Sequence, residues 1–371
     1  MKISWYRHKV IWVILLLIVS GISCEKQPGK NGGNSQSDLD PNNQVVNIDS
    51  GTFLTMGTFG RIQIRCGDEQ MGRRALAEAM AALEAVDQRF STYRDDSELA
   101  RVNQLAAKQP VAISEETYCL LQKAQAYSQL TNGAFDITVT PLIRLWKEAE
   151  KENRLPTEAE ITEAKTKVGF EKLKLAATDP PTVAFVVEGM ELNVDAIAKG
   201  YAVDQALGVL RQPGIIAGLV DIGGEVSAFG QNRPGTDWII GIQDPTATKK
   251  ADPLSQQPRW LIRLQDCAVA TSGNYRQYIQ INAKHYSHII DPRTGWPADI
   301  LPSVTVIAPT TVDADTLATA ISVMGCEKGL ELVESLDNIE AFLIAEKDEK
   351  PQIYRSSGFS RYEVLRYPFD R

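Results

Sequence analysis

The stretch GIIAGLVDIGGEVSAFG, residues 214–230, decides the fold class. It contains two apolar, strand-like segments that meet at Gly223 and Gly224. Glycine adopts backbone shapes closed to other residues, so this pair indicates a turn between two strands. Further strand-like segments follow with no helical pattern between them: WIIGIQDP (238–245), WLIRLQDCAVATSG (260–273) and YRQYIQI (275–281). Strands that adjoin in this way favour an α+β fold, with mostly antiparallel sheets flanked by helices, over a doubly wound parallel sheet.

Apolar spacing predicts the other elements. Helices are expected over residues 70–91, from Ser97, from the N-cap Ser114, after Pro141, in 147–167, over 195–210 and as a pair in 313–336. Strands are expected over 183–194, in SVTVIAP (303–309) and in a terminal pair after residue 340, and a hairpin over 46–66 should bend near Gly57 and Gly60. GAFDITVTPLIRLW (133–146) reads as a turn, a short strand and a helix.

The amino terminus has the pattern of an export signal. A basic start precedes an unbroken apolar run from Val10 to Val19, and small residues then lead to Cys24. We expect residues 1–23 to be a signal peptide and 24–45 to be a lipidated Cys24 with a flexible tether, because this stretch is rich in Gly, Asn and Ser. Ordinary secretion and an uncleaved anchor are the alternatives. Residues 46–371, about 325 residues, would form the folded domain, as one large domain or as two fused lobes.

Charge and cysteine usage exclude several classes of protein. Removal of Lys2, Arg7 and Lys9 with the leader takes the net charge from −8 to −11, which argues against a nucleic-acid partner. The cysteines of the domain are widely spread without a CxxC pair, so a zinc cluster is not expected, whereas one or two disulfides are compatible with export. The sequence has no P-loop, GxSxG, GxGxxG or HExxH motif.

Asp315 and Thr319 form a candidate metal site. They are four residues apart in a predicted helix, which places both side chains on one face. A carboxylate and a hydroxyl offer hard oxygen ligands that suit Mg²⁺ better than zinc. Asp313 is an alternative ligand that faces another way, and helix capping by Asp313 or Asp315 is the purely structural explanation.

Lys199 lies among small residues near the start of another predicted helix. Gly200 would let a ligand approach the backbone, and the lysine could hold a phosphate as a point charge. The carbonyl of Ala196 could complete a metal shell. Ser272 and Gly273 could likewise contact a phosphate, although each of these features alone is compatible with ordinary packing.

Aromatic and imidazole groups complete the candidates. Tyr93 and Phe135, the latter beside Asp136, could stack against a planar ring system or belong to the core. His288 could move a proton at neutral pH, and Asp291, three residues later, could orient it. Pro292 and the pair Thr294–Gly295 predict a turn that fixes this loop. No role is assigned to His285.

The order of these motifs resembles that of the FAD:protein FMN transferase family, also called ApbE. The resemblance covers nearly the whole mature chain. The blocks that carry it run from Thr55 to Ala320 and are TMGT, FSTYRDDSELARVN, GAFDITVTPLIRLW, DAIAKGYAVD, VDIGGEV, AVATSGNY, HIIDPRTGWP and SVTVIAP with DADTLATA.

The resemblance implies an α+β fold with a cleft for FAD and a function. A member of this family is expected to be a bacterial lipoprotein at the inner membrane, facing the periplasm through its lipid anchor. It would cleave the pyrophosphate of FAD with Mg²⁺, attach FMN to a Thr or Ser of an exported acceptor protein, and release AMP.

The resemblance also implies the site. His288 and Asp315 would be catalytic, and the metal ligands would be the Ala196 carbonyl, Asp315 and Thr319. FAD would be held by Met56, Tyr93, Ala134, Phe135, Asp136, Asn193, Lys199 and Ile289. Asn193 stands where an acidic residue is common in relatives, which bears on polar contact with the adenosine part. Two other functions remain open: an Mg²⁺-dependent FAD pyrophosphatase that releases FMN and AMP, and a flavin-binding lipoprotein without catalysis.

Overall fold

The computed structural model describes residues 45–92, 94–245, 258–273, 277–347 and 350–364. The predicted leader, Cys24, most of the tether and Tyr93 lie outside these residues. No helix in the described ranges is both long and apolar enough to cross a membrane.

The described residues form sixteen strands and eight α-helices. The strands are β1 (Val46–Asp49), β2 (Phe53–Thr55), β3 (Thr58–Cys66), β4 (Val111–Ala112), β5 (Leu173–Ala176), β6 (Thr182–Phe185), β7 (Ile215–Ile222), β8 (Glu225–Phe229), β9 (Trp238–Ile242), β10 (Trp260–Leu264), β11 (Cys267–Gly273), β12 (Tyr278–Ile281), β13 (Lys284–Ser287), β14 (Ser303–Ala308), β15 (Glu340–Lys347) and β16 (Lys350–Arg355). The helices are α1 (Glu69–Phe90), α2 (Glu98–Leu105), α3 (Glu115–Leu130), α4 (Thr140–Lys151), α5 (Glu158–Thr166), α6 (Asp195–Leu210), α7 (Thr311–Met324) and α8 (Cys326–Glu334).

A nine-stranded sheet organises the molecule. Eight of its strands follow the order β1-β3-β7-β8-β11-β14-β15-β16. The ninth, β2, pairs with the first residues of β3, whereas β1 pairs with the last residues of that strand. Every pair in the sheet is antiparallel. Residues 214–230 supply its centre, because β7 and β8 pair directly across the turn at Gly223 and Gly224, where φ is +71° and +104°. The smaller sheets are β4-β6-β5, β9-β10 and β12-β13. The expected α+β class with antiparallel sheets is therefore confirmed.

The two faces of the large sheet are covered differently. Successive side chains of a strand point to opposite faces. On β14 and β15, Val306 and Leu343 pack with Leu317 of α7, whereas the alternate residues Ile307 and Phe342 pack against the apolar side of the β9-β10 hairpin. Helices thus cover one face and a two-stranded hairpin covers the other. At the β3–β7 end, α1 and α6 cover the helical face.

Helices α6 and α7 pack very closely because α6 contains Gly200. A Cβ atom at this position would lie 2.6 Å from the carbonyl oxygen of Thr311. At the same crossing, the carboxylate of Asp204 accepts the backbone amides of Thr311 and Val312 at 2.8 and 2.9 Å, which satisfies two amides of the first turn of α7. The expectation that Gly200 admits a ligand is thus replaced by a packing role.

Several local predictions need correction. Residues 183–194 are strand only as far as Phe185, and the expected short strand after Phe135 is absent, because turns lead directly into α4. Gly60 lies within β3, so the bend falls at Met56 and Gly57 instead. The helix expected after Pro141 and the first part of the helical stretch expected over 147–167 form one helix, α4, whose Trp146 is fully buried. Cys66, Cys119, Cys267 and Cys326 are free thiols, so none of the disulfides considered from sequence forms among them.

Candidate active site

The start of α6 holds two predicted binding segments together. The Asn193 amide donates to the carbonyl of Ile137 at 2.8 Å, which joins the loop around residues 134–137 to the helix start. The Asn193 side chain accepts the Asp195 amide at 2.7 Å and donates to the Asp195 carboxylate at 3.0 Å. The Asn193 side chain therefore forms a local turn with Asp195 just before the N-cap Val194, and it is also a candidate FAD contact.

Asp136 organises the adjoining loop. Its Oδ1 atom accepts from the amide and hydroxyl of Thr138 at 2.8 and 2.7 Å, and its Oδ2 atom accepts from the Phe170 amide at 2.9 Å. Burial raises the pKa of this carboxyl, while these hydrogen bonds oppose the rise. The Phe135 ring is 2% exposed and belongs to the main core, so it does not offer the stacking surface that its position in the sequence suggested.

Asp315 lies at the crossing of α6 and α7. It is 3% exposed, and its Oδ2 atom accepts the backbone amide of Gly200 at 2.9 Å. In a regular α-helix the amide of residue 200 donates to the carbonyl of residue 196. Asp315 therefore lies against the turn of α6 that runs from Ala196 to Gly200, and the Ala196 carbonyl stays a predicted metal ligand.

Thr319 lies one turn beyond Asp315 on α7. Its hydroxyl is 3.3 Å from the hydroxyl of Ser272 at the end of β11. Asp313 faces elsewhere, as expected: it accepts from Lys123 at 2.7 Å and from the Tyr127 hydroxyl at 2.6 Å, and these partners help to lower its pKa against the effect of burial. Asp313 therefore belongs to the α3–α7 contact and not to the Asp315 face.

Lys199 lies among three carboxylates. It forms an ion pair with Glu225, and the charges of Asp315 and Asp195 also act on it. Burial alone would lower the pKa of this ammonium, but the three carboxylates raise it above its ordinary value. Burial and, to a smaller extent, the charge of Glu225 raise the pKa of Asp315 to about 7, against the lowering effect of Lys199. Negative charge exceeds positive charge in this group of four residues.

His288 is half-buried at the start of the loop after β13. Its Nδ1 atom is 3.0 Å from the backbone carbonyl of Gln277. A carbonyl oxygen can only accept, so Nδ1 carries the proton in this contact and Nε2 of the neutral ring has the free lone pair. Burial lowers the His288 pKa, and the positive charges of Lys199 and Lys147 lower it further, although the Gln277 contact opposes them.

The loop that begins at His288 is a closed turn, as its sequence predicted. The Asp291 amide donates to the Trp296 carbonyl and the Gly295 amide donates to the Asp291 carbonyl, both at 2.8 Å. The Asp291 carboxylate binds Arg293 at 2.9 Å. The expectation that Asp291 orients His288 is therefore wrong; the main chain of Gln277 does so.

Two further predicted contacts meet in a small apolar cluster. Ala134 and Ala298 are buried there, and Ile289 packs against them. Met56 occupies a two-residue turn between β2 and β3, with φ of +46°, followed by Gly57 with φ of +71°. Positive φ at both positions is the hairpin geometry that Asn-Gly normally adopts, so a methionine at the first position is conformationally costly. That cost is consistent with selection for the side chain.

A cleft of about 500 Å³ opens beside the start of α6. Asn193 and Lys147 line it, together with residues of α2 and residues along the whole of α4. The charge of Lys147 also acts on His288, although His288 itself does not line the cleft. Among the predicted FAD contacts within the described residues, Asn193 lines this cleft.

Sequence reasoning missed two residues of the site. Glu225 lies in the block VDIGGEV, of which the sequence analysis used only the glycines. In the structure Glu225 is 3% exposed and forms an ion pair with Lys199. A lone carboxylate in an apolar strand was the available signal. Asp204, which fixes the first turn of α7, gave no comparable signal because it reads as an ordinary polar position of a helix. His285, in contrast, lies on the exposed side of β13, where its ring stacks on Tyr278 with centroids 4.0 Å apart.

Comparison with known proteins gives a consistent result. The chain matches the ApbE family over residues 56–343. The FAD:protein FMN transferase of Vibrio cholerae is 37% identical over 284 residues, which are 76% of this chain and 82% of the relative. The protein of the same name from Salmonella typhimurium is 34% identical over 316 residues, 84% of this chain and 88% of the relative.

Solved structures agree. The flavin transferase ApbE from Vibrio cholerae aligns with a TM-score of 0.73 at 33% identity, covering 86% of this chain and 100% of that chain. The flavinyl transferase ApbE of Pseudomonas stutzeri, in its apo form, aligns with a TM-score of 0.73 at 31% identity, covering 86% of this chain and 96% of that chain.

Proposed function

This chain belongs to the ApbE family and is an FAD:protein FMN transferase, and from that premise we propose that it moves FMN from FAD to a Thr or Ser hydroxyl of an exported acceptor protein and releases AMP. The observation that supports this best is the convergence of Lys199, Asp315 and Glu225 in one buried charged cluster between α6, α7 and β8.

The donor set fits Mg²⁺. Asp315, Thr319 and the Ala196 carbonyl supply only hard oxygen atoms, and the excess of carboxylates around Lys199 leaves negative charge that a divalent cation would balance. Within the described ranges no three residues among His, Cys, Asp and Glu are grouped to hold a metal, so this mixed set is the one we assign. When bound there, Mg²⁺ would neutralise pyrophosphate charge and polarise the phosphorus under attack.

Lys199 is assigned to the pyrophosphate. Its side chain is 28% exposed, and its ammonium is paired with Glu225 close to the charges of Asp315 and Asp195. A fixed positive charge in a partly buried site stabilises the additional negative charge that develops during phosphoryl transfer. The raised pKa keeps Lys199 protonated over the working pH range.

His288 is assigned as the base. The acceptor hydroxyl is a poor nucleophile until its proton is removed. Nε2 of His288 takes that proton while the hydroxyl oxygen forms a bond to the phosphorus of the FMN half. The bond between this phosphorus and the bridging oxygen breaks, and the electron pair leaves with AMP. No covalent enzyme intermediate is needed.

The FAD molecule would extend from this cluster along the start of α6. Ala134, Ile289 and Met56 supply apolar contacts in this proposal, Asn193 and Asp136 supply polar ones, and Phe135 contributes through its backbone because its ring is in the core. Tyr93 is retained as a proposed contact from its position in the sequence.

We further propose that residues 1–23 direct export and that a lipid on Cys24 anchors the enzyme at the inner membrane, facing the periplasm. The support is the basic and apolar leader followed by Cys24. The domain would then be residues 46–371, and its central sheet already includes strands from residue 46 to residue 355.

The test is incubation of the full chain with FAD, Mg²⁺ and an acceptor domain that carries the target Thr. A fluorescent covalent adduct and stoichiometric AMP are expected. Free FMN and AMP without an adduct would replace the proposal by an FAD pyrophosphatase, and intact FAD after long incubation would replace it by a binding protein without catalysis.

A further inference from the structure

Glu225 is a buried acid with no assigned role. It begins β8 directly after the turn at Gly223 and Gly224, and every residue of β8 is buried. A carboxylate in such a strand is rare unless a partner compensates for its loss of hydration. Glu225 therefore needs an explanation beyond the formation of the strand.

The two carboxylate oxygens of Glu225 differ in their contacts. Its Oε1 atom is paired with the ammonium of Lys199, whereas its Oε2 atom is buried and has no hydrogen-bond partner among the described residues. A residue needed only for stability would gain from a fully bonded carboxylate, because an unsatisfied buried oxygen is costly. The position of Glu225 therefore provides the contact with Lys199 but leaves one carboxylate oxygen without a hydrogen bond.

Within the described residues, Lys199 donates its side-chain hydrogen bond to Glu225, while Asp315 and Asp195 act on it through their charges. The lysine side chain is long and flexible, so this direct contact is what restrains its direction. Gly223 and Gly224 fix where β8 begins, so Glu225 can hold the ammonium at one defined point beside α6 and α7.

We propose that Glu225 is a positioning residue that holds the Lys199 ammonium in place for the pyrophosphate of FAD. This inference rests on the proposed contact of Lys199 with FAD. Glu225 acts through Lys199 and does not itself touch the substrate.

A comparison of FAD and riboflavin binding distinguishes a positioning role of Glu225 from a purely structural role. FAD contains the pyrophosphate, whereas riboflavin contains the same ring system without phosphate. Binding of each ligand to the full chain is measured by quenching of flavin fluorescence in EDTA without acceptor, so that no turnover occurs. Glu225→Gln should weaken FAD binding about tenfold, since it removes a charge-assisted contact of Lys199, and should change riboflavin binding less than about twofold.

A double-mutant cycle tests whether Glu225 affects FAD binding through Lys199. In a Lys199→Met background, Glu225→Gln should cause no further loss of FAD affinity, because the group that it positions is gone. Equal losses for FAD and riboflavin, additive losses in the cycle, or unchanged FAD affinity in Glu225→Gln would each overturn the proposal.

Glu340 provides a matched control. It is also a buried acid, 7% exposed, and it pairs with Arg361 at 2.8 Å near the other edge of the sheet. Glu340→Gln should lower the melting temperature and leave the affinity for both flavins unchanged. If Glu225→Gln does not fold, Glu225→Asp replaces it: the shorter acid should keep the fold and reduce FAD affinity selectively, and unchanged affinity there would contradict the proposal.

This measurement is independent of the transfer assay. A wild-type enzyme that forms no adduct would contradict the proposed function, while the binding cycle would still decide whether Glu225 acts through Lys199.

Discussion

Asp315 combines burial, a raised pKa and a hydrogen bond from the backbone of the neighbouring helix. The change Asp315→Asn keeps an oxygen for the Gly200 amide and removes the negative charge. We expect FMN transfer to fall by about 10²–10³-fold or more, since one electrostatic group of the site is lost. Adduct fluorescence after denaturing electrophoresis measures this.

The same variant should fold. The variant removes the desolvation of a buried charge and its repulsion by Glu225 and Asp195, but it also removes the attraction to Lys199, so we expect the melting temperature to change little. Full transfer activity in Asp315→Asn would remove our metal and catalytic assignment, whereas an unfolded protein would show that the Gly200 contact requires the charge.

His288 and His285 form a natural pair of variant and control. His288→Asn should lower the rate of transfer by about 10²–10⁴-fold, because no other group is assigned to take the hydroxyl proton. His285→Asn should change it less than about twofold, since His285 is exposed and stacks only on Tyr278. Equal losses in the two variants would contradict the assignment of the base.

The pH dependence follows from the direction of the His288 shift. Burial and nearby lysines lower the pKa of His288 from 6.5, so the neutral, proton-accepting form is already dominant at neutral pH. At Mg²⁺ concentrations that keep Asp315 ionised, transfer should therefore be flat around neutrality and should decline only as the pH falls below 6.5. A pH profile of kcat/KM tests this, and a decline that begins above neutrality would show that another group limits the reaction.

At the scale of elements, the contact between α6 and α7 determines where Lys199 and Asp315 lie. Gly200→Ala would place a Cβ 2.6 Å from the Thr311 carbonyl, so the helices must separate. We expect a loss of about 1–3 kcal/mol in the free energy of unfolding together with reduced transfer. Urea denaturation measures the first effect and the adduct assay the second.

Gly208 lies on the same helix and gives the control. It is exposed, and a Cβ there would meet nothing within 4 Å. Gly208→Ala should therefore stabilise the protein by about 0.5–1 kcal/mol, because alanine has the higher helix propensity. If both variants behaved alike, the close approach of the helices would not be what requires glycine at position 200.

Local sequence signals predicted the elements where one pattern dominates. The bounds of α6 agree with residues 195–210, and Ser114 is an N-cap as expected. The helix expected from Ser97 begins at Glu98, with Ser97 as its N-cap, and both serines accept a backbone amide three residues later. The extended reading of 183–194 was wrong because its apolar residues, such as Met190, Leu192 and Val194, pack into the core from a loop. Apolar alternation alone does not distinguish such a loop from a strand.

At the scale of the molecule, the proposed division between leader, tether and domain can be tested. A chain that begins at residue 45 contains the whole central sheet and every assigned site residue. It should transfer FMN to a soluble acceptor within about twofold of the full chain. Cys24→Ala in the full chain should abolish the lipid mass shift and release the enzyme from membranes, while a mass shift that persists would contradict the lipid assignment.

The candidate site was only partly predictable, because the sequence displays local spacing but not contacts between distant segments. The spacing of Asp315 and Thr319, four residues apart on one helix, is a local property that the sequence displays. The pairing of Lys199 with Glu225 and the orientation of His288 by Gln277 depend on contacts between distant segments, which spacing does not encode. The motif order indicated which blocks belong to the site, and the fold determined which side chains within them meet.

The hydrogen bond between Gly200 and Asp315 joins residues 115 positions apart in the chain. A chain that ends before α7 lacks the complete proposed reaction centre, because α6 supplies the Lys199 ammonium and α7 supplies the Asp315 carboxylate. With the site as proposed, we therefore expect an intermediate in which α7 has not yet packed on α6 to be inactive, so that recovery of transfer activity during refolding would follow the formation of this helix contact.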